Sequence, residues 1–89
     1  MPFGSLYRRD AAKMIVNFAS SVGRNTVVHE TCEFQDIADV EQDLQNYIVD
    51  ACRLGFMGLR GDGTVAPWFR PHDTLTRAEF GALLSRMLR

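Results

Sequence analysis

"DTLTRAEFGALLSRML", residues 73–88, is the stretch on which the reading of the fold turns. Thr76 stands three residues before Glu79. At that spacing a Thr hydroxyl accepts from the Glu backbone N–H, and the Glu carboxylate reaches back to the Thr N–H. Phe80, Leu83, Leu84, Met87 and Leu88 then fall on one helical face. The pattern predicts a helix over 76–88, with Thr76 and Glu79 as its capping pair and Arg77 projecting from its first turn. A fainter copy opens the chain: "SLYRRDAAKMIVNFASSV", residues 5–22. With Leu75 laid on Leu6, Arg77 falls on Arg8, Glu79 on Asp10, and one apolar run on the other. The chain thus reads as the last helix of one unit, residues 1–24, followed by a complete unit, residues 25–89.

Working outward, Leu6, Met14, Ile15, Phe18 and Val22 recur at helical spacing. They predict an amphipathic helix over 6–22, with Ser5 or Asp10 helping its start and "GRN" (23–25) stopping it. Residues 25–36 are polar around Val27 and Val28 and read as a connecting loop. Val40, Leu44, Tyr47, Ile48, Ala51 and Cys52 mark a helix over 38–54. Its acidic start (Asp39, Glu41, Asp43), Arg53 at its end and Gly55 beyond suit the helix dipole and a glycine stop. Residues 55–74 carry glycines and prolines together with Phe56, Met57, Leu59, Trp68 and Phe69. Such a loop must be structured to cover those side chains. The expectation is an all-α domain of three helices with one long structured loop, helices one and three packing as equivalents. A lone unit leaves apolar edges, so self-association is expected.

Composition narrows the function classes. An apolar share of 46% over 89 residues describes a folded domain. No apolar run approaches the roughly 20 residues that span a bilayer, and "MPFGSLYRRD" is no secretory signal. The net charge is −1 with signs interspersed, which argues against a nucleic-acid partner. Nine of the ten basic residues are Arg, a side chain suited to carboxylates and equally to ion pairs between subunits. Cys32 and Cys52 read either as two buried thiols or as a bridge closing a loop of about 20 residues. His29 and His72 read as exposed loop residues, and they complete no metal spacing with the cysteines. "GDGT" (61–64) lacks the ligands of a calcium loop, and "RGD" (60–62) is a short coincidence. No His, Ser or carboxylate sits at a catalytic spacing, so a cofactor-free, non-catalytic role is expected.

Four ordered pieces carry a resemblance. They are Phe34-x-Asp36, Ile48-x-x-Ala51-x-x-x-Gly55 with Gly58 beyond, Phe69-x-Pro71, and "LTRAEF" (75–80). In this order and spacing the chain resembles an S-layer homology domain, a whole unit over 34–88 preceded by the last helix of another. The resemblance implies a bacterial cell-surface module that anchors its parent protein to an acidic cell-wall polysaccharide. It implies helices gathered in a central bundle and ligand in grooves between units. Carried over by position, Arg77 would face the ligand, Arg8 would be its counterpart, and Asp36 and Gly58 would lie near the groove. Three features depart from the family pattern. Leu44 stands where an aromatic residue is frequent, so Trp68 is the remaining candidate for a sugar platform. Tyr7-Arg8-Arg9-Asp10 lacks the Thr cap. One unit and a fraction falls short of the usual three.

Each candidate also has a plain structural reading. Arg77 either meets a ligand or pairs with Asp36 or Asp73. Glu79 reads first as a cap, and Trp68 first as an anchor packed under the loop. Two function classes follow: a polysaccharide-binding anchor, or a structural assembly module with no glycan site.

Overall fold

A computed structural model describes residues 6–24 and 26–87. Among these residues three helices make up the regular structure: α1 (Arg8–Ser21), α2 (Gln42–Arg53) and α3 (Arg77–Met87). Among the described residues there is no strand, only two isolated antiparallel bridges, Tyr7 with Thr74 and Leu59 with Val65. The domain is all-α. Ser5, Asn25 and Leu88, named above as cap, stop and stripe residues, lie outside the described residues.

The buried face of α1 differs from the one expected. Ala11, Ala12, Ile15 and Ala19 are buried, whereas Met14, Phe18 and Val22 are 59%, 48% and 52% exposed. The reason is size. A face of alanines lets α1 lie close on α2, which presents Ile48, Ala51 and Cys52. The larger apolar residues are displaced to the flank. Packing of α1 and α3 as equivalents is likewise not found: α1 packs chiefly on α2. The two meet instead at their starts. Leu75 N–H donates to the Leu6 carbonyl at 2.7 Å and Arg8 N–H to the Asp73 carbonyl at 2.9 Å. Leu6 therefore sits in an extended segment ahead of α1, and both helices begin at their arginine, Arg8 and Arg77.

Helix α2 starts four residues later than expected. Val40 N–H closes a turn on the Ile37 carbonyl, and the Gln45 side chain donates to the Val40 carbonyl. That turn buries Val40, so Asp39 and Glu41 precede the helix and only Asp43 lies in its first turn. Beyond α2 the loop is ordered by its own bonds. Ala66 N–H donates to the Gly58 carbonyl and Arg60 N–H to the Thr64 carbonyl, while Gln35 N–H ties the earlier loop to the Pro67 carbonyl. Phe56, Met57 and Phe69 are buried beneath it. Trp68 is not the buried anchor expected: it is 53% exposed, and Phe69 fills that role. Cys32 and Cys52 are within disulfide distance, with Cα atoms 6.2 Å apart.

Candidate functional site

The two helix starts bring most of the candidate residues to one end of the molecule. The capping pair forms as its spacing predicts: Glu79 N–H donates to Thr76 Oγ1 at 3.1 Å, and Thr76 N–H donates to Glu79 Oε1 at 3.0 Å. This fixes one carboxylate oxygen of Glu79 and leaves the other. Oε2 accepts from Arg8 Nη1 and from Arg70 Nη2, the latter at 3.2 Å. Glu79 is thus both the cap of α3 and the counter-ion of two arginines.

Arg8 is turned inward and is 8% exposed. Its Nε donates to the Phe69 carbonyl at 2.8 Å, and its guanidinium lies 5.1 Å from the centre of the Phe69 ring. Burial, with the charge of Arg70 next, pushes the Arg8 pKa down to about 10, against the opposing pull of Asp73 and Asp36. At neutral pH it remains a cation. As a ligand-facing residue Arg8 is poorly placed, because its donors are directed at Phe69 and Glu79.

Asp36 is also bound within the fold. Its Oδ1 accepts from Phe69 N–H at 2.9 Å and its Oδ2 from Arg70 N–H at 2.7 Å. Two consecutive amides held by one carboxylate fix the chain where Arg70 takes a left-handed conformation, φ 58°. Gly58 has φ 73°, and a Cβ there would come within 2.5 Å of Phe34 Cζ. Its role is to let the Phe34 and Phe69 rings approach, edge to face at 5.4 Å. Neither residue is brought into contact with Arg77.

Arg77 differs from its counterpart. It is exposed, and among the described residues it makes no ion pair and no side-chain hydrogen bond. The expected alternatives, Asp36 and Asp73, are engaged elsewhere: Asp36 by backbone amides and Asp73 by Arg70 at 3.7 Å. The helix start therefore presents a guanidinium with no counter-ion among the described residues. Glu79 and Asp73, the acids that flank it in sequence, both answer to Arg70.

One cluster was not legible beforehand. His72 Nδ1 lies 2.9 Å from Arg9 Nη1, and His72 Nε2 lies 2.9 Å from Asp39 Oδ2. Arg9 can only donate, so Nδ1 accepts, and the proton resides on Nε2 facing Asp39. This chain of three joins α1, the loop and the turn before α2. Its signal in the sequence was slight, because the residues are separated by 63 and 33 positions.

Two grooves stand out. The larger, about 660 Å³, runs between residues 23–24 and 26–29 on one side and the 60–64 turn on the other, with Phe56 and Arg86 among its lining. A second, about 180 Å³, is almost wholly apolar and lies between α1 and α3, lined by Leu6, Met14, Phe18, Phe80, Leu84 and Met87 among others. Arg77 lines neither. No group of three or more potential metal-ligating side chains gathers among the described residues, and no described helix is long and apolar enough to cross a membrane. The chain matches no known protein family, no characterised protein and no solved structure.

Proposed function

We propose that this chain is a non-catalytic anchoring module that binds an acidic cell-wall polysaccharide, with Arg77 as the ligand-facing cation. The reading rests on the likeness of its ordered motifs to an S-layer homology unit. The observation that carries it is the contrast between two equivalent positions: Arg8 is bound inside the fold, while Arg77 is exposed and has no counter-ion among the described residues. An unpaired guanidinium at a helix start is well suited to a carboxylate, through bidentate hydrogen bonds and the positive end of the helix dipole. Trp68 supports the reading, since it is free to stack on a sugar ring. Asp36 and Gly58 serve it indirectly by shaping the loop. Such a module works at the bacterial cell surface, outside the membrane. The test is a calorimetric titration of acidic wall polysaccharide against the protein and against Arg77→Ala. The reading expects saturable binding that weakens tenfold or more in the variant, and equal affinities would remove Arg77 from the mechanism.

A second reading, a structural assembly module, is favoured by the apolar groove between α1 and α3. Met14, Phe18 and Leu84 are exposed along it. Here the neighbouring unit, from the same parent protein or a second copy, covers that groove. Sedimentation of the isolated chain as a monomer at high concentration, with saturable glycan binding, would count against this reading.

A further inference from the structure

The groove of about 660 Å³ does not include Arg77 in its lining, and bonds within the fold hold both of its walls. On one side, Val28 and His29 N–H groups donate to the Arg53 carbonyl, at 2.7 and 3.0 Å, next to the Cys32–Cys52 link. Gly55, with φ 81°, lies against Val28, where a Cβ would come 3.3 Å from Val28 Cγ2. On the other side, the 60–64 turn is closed by Arg60 N–H to the Thr64 carbonyl and by Thr64 on Asp62. The floor includes Phe56 and Leu59. At about 660 Å³ the groove has the size of a small-ligand site, and it is preformed.

Its lining brings one carboxylate, Asp62, to the same groove as the guanidinium of Arg86. Asp62 Oδ1 accepts from both the N–H and the hydroxyl of Thr64, bonds that lower its pKa. Arg86 has no ion pair among the described residues. One guanidinium nitrogen donates to the Phe56 carbonyl at 2.9 Å, which pins the head group to the floor, and among the described residues its other donors have no partner. The acid that shares a smaller adjoining cleft with Arg86 is Glu79, already saturated by Arg8, Arg70 and the Thr76 N–H.

We propose that this groove is a binding site for a carboxylate-bearing ligand, its carboxylate held by Arg86 and its body laid along the apolar floor. The site is independent of the Arg77 surface. A sugar acid and a peptide C-terminus offer the same chemistry. The experiment separates them by titrating amide-resolved NMR spectra with trigalacturonate and with acetyl-Leu-Phe, and with the uncharged controls maltotriose and acetyl-Leu-Phe-amide. Two variants accompany the native chain. Arg86→Gln removes the charge and keeps a donor for the Phe56 carbonyl. Gly61→Glu sets a repelling carboxylate on the groove wall, at a position where a Cβ meets nothing within 4 Å. The expected result is saturable shifts at the Gly55, Gly61 and Gly63 amides with one carboxylate probe and not with its uncharged control. At those three amides the affinity then weakens tenfold or more in both variants, as for loss of a charged hydrogen bond. Absence of shifts with both acids, equal shifts with the uncharged controls, or variants that bind like the native chain would overturn the proposal. Loss in Arg77→Ala alone would overturn it too, while leaving the Arg77 reading standing.

Discussion

Separation of Cys32 and Cys52 should remove a large part of the stability of this domain. The two residues stand 20 positions apart. Closing a loop of that length takes about 11 cal/mol/K of chain entropy from the unfolded state, about 3 kcal/mol at 25 °C. For a domain of this size each kcal/mol moves the melting point by roughly 4–8 °C, so the midpoint should fall by roughly 12–24 °C. The native contacts remain meanwhile. Val28 and His29 still donate to the Arg53 carbonyl, and Cys52 stays in the core. The effect therefore acts on the unfolded chain first, and the folded protein should keep its helix content. Thermal unfolding followed by circular dichroism, with and without reductant and in the Cys32→Ala/Cys52→Ala double variant, measures it. A mass gain of about two hydrogens on reduction would establish the bond. A midpoint that moves by less than about 3 °C would refute the reasoning, because the expected shift per kcal/mol leaves no room for so small a change.

Glu79→Ala should cost at least about 3 kcal/mol in denaturant unfolding, since it strands the buried Arg8 cation and removes the carboxylate half of the capping pair, while the Glu79 N–H still donates to Thr76; a loss under about 1 kcal/mol would contradict the network. Gly58→Ala should cost at least about 2 kcal/mol, from a left-handed φ and the collision with Phe34. Gly61→Ala, in open space, should stay within about 1 kcal/mol of the native chain; the pair is compared by urea midpoints. On the assembly reading the native chain should sediment as a dimer or trimer in analytical ultracentrifugation, and Met14→Glu and Phe18→Glu should return it to monomer without lowering the melting point, because both side chains are already exposed; a native monomer would contradict that reading.

Much of the local structure was legible because it depends on near neighbours. The Thr76–Glu79 pair announced the start of α3 by spacing alone, and the observed bonds close over three residues. The repeat offset placed Arg8 and Arg77 at equivalent positions, and both open a helix. What could not be read was direction. The α1 stripe of Met14, Phe18 and Val22 has the right period, yet the alanine face wins because close approach to α2 excludes larger side chains. Arg8 and Arg77 look alike in sequence. Their fates differ because Phe69 and Glu79, 61 and 71 positions away, receive only the first. The role of Arg70 has no sequence signature at all. Its left-handed backbone is imposed by Asp36 from 34 positions away, and no local pattern marks it. The groove around Arg86 arises from three separate loop and helix segments, so it too had no sequence signature.

The account depends most on the exposed guanidinium of Arg77, and the direct measurement is the affinity of acidic wall polysaccharide for three chains at one salt concentration: native, Arg77→Ala and Arg77→Lys. The account predicts a loss of tenfold or more in Arg77→Ala with a partial recovery in Arg77→Lys, which keeps the charge and gives up the bidentate fork. Three equal affinities, or no binding by the native chain, would contradict it.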